Sequence, residues 1–141
     1  MVNVNEIIEN LSEEDISILR SHKLEFNIPL EFKKSNEKTN RGRILSRDTD
    51  KLGHILCRYR QDIINNPSEL PENVTRALDK LNHLINVEES KIIKYLNLND
   101  REIIIVDNAR WLHGRTEVKD KERHLVRIRF QTKYKELMPN F

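Results

Sequence analysis

Ile103, Ile104, Ile105 and Val106 stand together with no polar residue between them. β-branched side chains crowd a helix and suit a pleated surface. Four in a row leave no polar face, so the run predicts a strand buried on both sides. Asp107 and Asn108 close it with turn chemistry. Residues 125–131 read differently. Val126, Ile128 and Phe130 fall on one face, with Leu125, Arg127, Arg129 and Gln131 on the other. That alternation predicts a second strand with one polar face. A chain that ends this way needs a sheet wide enough to cover its isoleucines.

Upstream, the helical signals are local. Ser12 with Asp15 forms a capping box, and Leu11 stands before it as a staple. Ile16 and Leu19 mark the apolar face of a short helix that ends near Ser21. Pro29 then enforces extended backbone, and residues 28–32 read as a short strand. Residues 33–43 read as a hairpin loop, and Ile44 and Leu45 resume a strand. Residues 54–59 fit a strand or a short helix, and periodicity does not decide between them. Pro71 suits a first helical turn and Glu72 complements its dipole. Val74, Ala77, Leu78, Leu81, Leu84 and Ile85 follow at helical spacing. A shorter helical piece is expected over residues 88–95.

The chain has 141 residues, 34% of them charged and 37% hydrophobic, which suits one folded domain over 1–141. A net charge of +2 gives no electrostatic reason to expect nucleic acid or a membrane surface as partner. The basic residues Lys33, Lys34, Lys38, Arg41, Arg43 and Arg47 read as a solvated loop. No apolar run is long enough to span a bilayer. Cys57 is the single cysteine, so no internal disulfide forms and a reducing cytoplasm fits. It lies in an apolar stretch and reads as core. Three glycines leave no material for a glycine-rich phosphate loop.

Between the two expected strands lies the one constellation with chemistry in it. "DNARWLHGR" runs from Asp107 to Arg115, and "RHLVR" from Arg123 to Arg127. Arg123 and Arg127 are an even number of residues apart, so on a strand they share a face. This pattern resembles the closing motif of the clavaminate synthase/taurine dioxygenase family of iron(II)/2-oxoglutarate-dependent oxygenases. The order of elements upstream, from "LSEED" through "RYR" at Arg58 to Arg60, runs the same way. The resemblance implies a mostly β fold with flanking helices, the C-terminal part of a double-stranded β-helix or jelly roll. It implies that His113 is the distal iron ligand. Arg127, fourteen residues on, would clamp the far carboxylate of 2-oxoglutarate, with Arg123 and Arg115 beside the cosubstrate. A planar guanidinium suits a carboxylate because it can make two parallel charge-assisted bonds. Trp111 reads as core packing, His124 as structural, and Arg58 and Arg60 as a solvated strand edge.

The sequence departs from that family in two respects, the milder being Asn99 and Asp100 where the family commonly has a glycine-aspartate pair. Iron(II) in such sites is held by two histidines and a carboxylate, the upstream pair spaced His-x-Asp or His-x-Glu. None of the five histidines here, His22, His54, His83, His113 and His124, has a carboxylate two residues on. The missing pair is expected before Met1, in a split or truncated coding sequence; otherwise the chain is a shortened relative without its metal site. The sequence therefore implies part of an enzyme that oxidises a small molecule, perhaps an amino-acid derivative, with iron(II) and 2-oxoglutarate. The alternative is a non-catalytic β-barrel module that binds a carboxylate or a partner.

Overall fold

A computed structural model describes residues 1–30, 33, 36–47, 49, 53–86, 91–99, 101–114, 122, 126 and 128. Its longest element is helix α3, Glu72–Asn86. Val74, Ala77, Leu78 and Leu81 are buried on one side, as their spacing requires, and Leu84 and Ile85 pack at its rim. The Pro71 carbonyl accepts from the Val74 and Thr75 N–H groups and so opens the first turn. Against α3 lies α2, Glu13–Ser21. The Ser12 hydroxyl caps it by accepting from the Asp15 N–H at 3.2 Å. Ile16 and Leu19 are buried and Leu11 packs beside them. Both helices stand where the sequence puts them.

A further helix, α1, Val4–Glu9, also packs on α3. Its Asn3 cap accepts from the Asn5 N–H, and Val4 and Ile7 are buried. It is six residues long, too short for its apolar spacing to stand out.

The β structure is sparse. Strand β1, Val2–Asn3, pairs antiparallel with β4, Trp111–Leu112. Strand β2, Leu24–Asn27, pairs antiparallel with β3, Thr39–Gly42. The strand expected over 28–32 thus lies earlier, since Leu24 and Phe26 supply its inward positions and Pro29 stands just past its end. Residues 39–42, read as loop, are the returning arm of the hairpin. Ile44 and Leu45 do not resume a strand and residues 54–59 form neither strand nor helix; an isolated antiparallel bridge joins Leu45 to Cys57. Cys57 donates to the Ala109 carbonyl at 2.9 Å, and Val4 donates to that of Arg110 at 2.9 Å. Residues 109–112 are therefore held between the chain's first residues and the Cys57 segment. Cys57 is fully buried, as a core thiol should be.

The jelly roll expected from the resemblance is not what forms. Among the described residues there are two small two-stranded sheets and three helices, and no barrel. The reason is plain at residues 103–106. Ile103 is 88% exposed and Ile105 80%, and neither lies in a strand. A β-branched run becomes a strand only when neighbours take its backbone hydrogen bonds, and no described segment does so. Val126 and Ile128, from the second expected strand, are likewise exposed, at 71% and 78%, and in no strand. The rest of 125–131 lies outside the described residues. Of the helical piece expected over 88–95, residues 88–90 lie outside them too, while 91–95 form a turn and irregular backbone.

Candidate functional site

The turn that begins at Asp107 is the best-built part of the candidate site. The Asp107 carboxylate accepts from the Ala109 N–H at 3.0 Å, and its carbonyl accepts from Arg110 and Trp111. The Arg110 guanidinium lies 3.5 Å from the same carboxylate. This is the side-chain-to-backbone turn that an aspartate makes. It sends the chain into β4, where Leu112 pairs with Val2 and Trp111 with Asn3. Trp111 is half-buried rather than core. The Lys94 ammonium sits 5.6 Å from its ring centre, within cation–π range, and also pairs with Glu6 at 2.9 Å.

His113 follows β4 directly and is exposed. Beyond it the space is open: a Cβ placed on Gly114 would meet nothing within 4 Å. Arg115, Arg123 and Arg127 lie outside the described residues. The structure thus gives the turn, β4 and His113.

An iron(II) site can be tested against these side chains. Among the described residues no three His, Cys, Asp or Glu side chains come together in a metal-binding group. His22 caps the end of α2 and His83 lies in the last turn of α3. One exposed imidazole does not hold iron(II). The described donor set does not fit the metal, and no chemical step is derived through it.

The concave surfaces lie elsewhere. A cleft of about 760 Å³ is lined by Asn10, Glu72, Arg76, Asp79, Lys80 and His83. A second, of about 710 Å³, is lined by residues that include Tyr59, Asp62, Leu78 and Asn82. Neither is lined by His113. Of their charged groups, Arg76, Lys80 and Asp62 are held in ion pairs. Asp15, fully buried, accepts from the Lys80 ammonium at 2.6 Å and from the Ser12 hydroxyl, and these bonds hold its carboxyl below the usual range. Arg76 pairs with Glu14 across the α2–α3 contact at 2.9 Å. Burial pushes the Tyr59 phenol up to about 12 although its hydroxyl donates to Asn82 at 2.6 Å. Burial likewise pushes the Cys57 thiol up to about 12, which leaves it no thiolate for nucleophilic work near neutral pH. Sequence reading missed this polar seam. Its one legible trace is that Arg76, Lys80 and His83 recur at three- and four-residue spacing on the polar side of α3.

Arg60 grips Asp62 through both carboxylate oxygens at the surface, in keeping with a solvated edge. Of the basic stretch, Lys33, Lys38, Arg41 and Arg47 are exposed, but Arg41 lies in β3, Arg43 is half-buried, and Lys34 lies outside the described residues. Among the described residues no helix is long and apolar enough to cross a membrane.

Set against known protein families, characterised proteins and solved structures, the chain matches none.

Proposed function

We propose that this chain is the C-terminal portion of an iron(II)/2-oxoglutarate-dependent oxygenase acting on a small molecule, and that its own chemistry is recognition of the cosubstrate. Arg127 binds the far carboxylate of 2-oxoglutarate through its planar fork. Arg123 and Arg115 add positive charge beside it. His113 is one metal ligand of a set that this sequence does not complete, so iron-dependent turnover is not assigned to the chain by itself. An amino-acid derivative is the substrate class that the resemblance favours. The buried, unpaired Cys57 suits a reducing cytoplasm.

One observation carries the reading. His113 stands immediately after a turn closed by Asp107 and a strand pinned by Val2 and Asn3. The spacing of "LHGR" and "RHLVR" in that context is what the oxygenase motif requires.

The same observation, with the missing His-x-Asp or His-x-Glu, supports a second reading: a carboxylate-binding module without catalysis. Calorimetric titration with 2-oxoglutarate in the absence of metal tests what both share. Losing charge-assisted bonds worth about 1.5–3 kcal/mol predicts that Arg127→Ala weakens binding roughly 10- to 100-fold. No binding by the parent chain, or equal binding by the variant, refutes both. Anaerobic addition of iron(II) to the 2-oxoglutarate complex, with the gene's upstream coding sequence fused in frame, then separates them. A visible metal-to-ligand absorption band, lost in His113→Ala, belongs to the oxygenase; its absence leaves the binding module.

A further inference from the structure

The cleft beside Tyr59 has an apolar floor and charge of one sign. Ile64 and Leu78 are buried in its lining, Leu70 is half-buried, and Pro67 stands in its wall. The half-buried Tyr59 adds an aromatic ring. Its volume of about 710 Å³ is that of a small-molecule site. The wall is held in an uncommon shape. Asn66, just before Pro67, has φ 43° and ψ 57°, in the left-handed region. Residues other than glycine seldom adopt it, and a following proline favours extended backbone instead. Such outliers gather at ligand sites.

Charge selects the occupant. Among the described residues that line the cleft are two carboxylates, Asp62 and Asp79, and no Lys, Arg or His. Arg60 does not line the cleft but neutralises Asp62 at 2.9 Å. Asp79 is exposed at the mouth. Its cationic neighbours on α3, Arg76 and Lys80, are committed to α2, where they pair with Glu14 and Asp15. The Asp79 charge reaches into the cleft: burial above all, and Asp79 to a lesser degree, pushes the Tyr59 phenol up to about 12. That ring therefore stays neutral near pH 7 and can attract a cation.

We infer that this cleft binds an organic ammonium ion with an apolar body, its head at Asp79 and its body against Ile64, Leu70 and Leu78. A bare divalent ion suits the lining less well. It needs several oxygens at once, and among the described residues no group of three carboxylate, His or Cys side chains comes together. An anion would meet Asp79 with no lining cation to offset it. Asp79 also lines the neighbouring cleft, but Glu72 there faces Arg76, Lys80 and His83 as well, and such mixed charge selects no sign. This inference is independent of the carboxylate-binding reading, which concerns His113 and Arg127.

The test is titration of the whole chain with 2-phenylethylammonium chloride, followed by nuclear magnetic resonance of labelled methyl and aromatic groups. Saturable shifts are expected at Leu70, Leu78 and Tyr59, with a dissociation constant of about 1 mM. The neutral 2-phenylethanol should bind roughly threefold more weakly, and phenylacetate more weakly still. Asp79→Asn, at a position too exposed to disturb the core, should weaken the ammonium roughly three- to fivefold and leave 2-phenylethanol unchanged. Glu72→Gln removes a carboxylate of α3 that does not line this cleft, and should change neither. The inference is overturned by the lack of any saturable shift up to about 20 mM, or by shifts centred away from the cleft. Equal binding of the alcohol and the ammonium overturns it too, as does an Asp79→Asn variant that binds like the parent or a Glu72→Gln variant that loses as much as Asp79→Asn.

Discussion

The clamp between α2 and α3 gives an ordering of variants that runs against intuition. The Asp15 side chain is 1% exposed, whereas Lys80, its partner, is 48% exposed. One Asp15 oxygen, Oδ1, is buried without any partner. Replacing Asp15 by Ala loses the Lys80 and Ser12 bonds. Together these contribute about 2 kcal/mol once solvent around Lys80 is allowed for. The change also removes the unpaired Oδ1, whose desolvation costs about 1 kcal/mol. The net loss is about 1 kcal/mol. Lys80→Met keeps the stem and removes only the charge, which strands a buried carboxylate on Ser12 alone. Its expected cost is about 2–3 kcal/mol, below the range for a wholly buried pair. The double variant falls near Asp15→Ala, so the coupling is about 2–3 kcal/mol. Urea unfolding at neutral pH, followed by circular dichroism, reads all four proteins. The reasoning is refuted if Asp15→Ala costs clearly more than Lys80→Met, or if the coupling is under about 0.3 kcal/mol.

The same cluster sets an acid dependence. The Asp15 carboxyl titrates below its ordinary 3.8 in the folded protein, so its contribution is present above that value and is lost as pH falls through the lowered one. The coupling should vanish in strongly acidic urea titrations and persist at neutral pH. Leu81→Ala, at a fully buried position of α3, should cost about 2–5 kcal/mol in the same assay. Tyr59 and Cys57 titrate near 12 when folded, above their ordinary 10.0 and 9.0. Their contribution is complete below those ordinary values and is lost as pH rises toward 12, so stability should fall through that alkaline range. Cys57 should accordingly stay inert to a thiol reagent until the chain unfolds, and a native protein that labels rapidly would contradict its burial.

What the sequence showed follows a physical division. Helices α2 and α3 were legible because their determinants are local: the Ser12 cap, Pro71 at the start, and a 3.6-residue period that Val74, Leu78 and Leu81 keep. The Asp107 turn was legible for the same reason. Strands depend on partners far along the chain. Ile103 to Val106 state a need for cover, and nothing in the run says where cover will come from. The misplacement of β2 has a milder cause, since Leu24 and Phe26 alternate as well as Ile28 and Leu30 do, and pairing with residues 39–42 selects the former. At the candidate site, His113 follows β4 in no strand and is exposed, not turned into a barrel interior. Its metal set could not be completed, because no histidine is followed two residues on by a carboxylate.

The account turns on His113 and Arg127 facing one pocket in which Arg127 holds the dicarboxylate. Nuclear magnetic resonance of the labelled side chains during a 2-oxoglutarate titration addresses that without any metal. The imidazole of His113 and the guanidinium of Arg127 should shift together and saturate at the same ligand concentration. Resonances that stay still, or a guanidinium that responds while the imidazole does not, would contradict it.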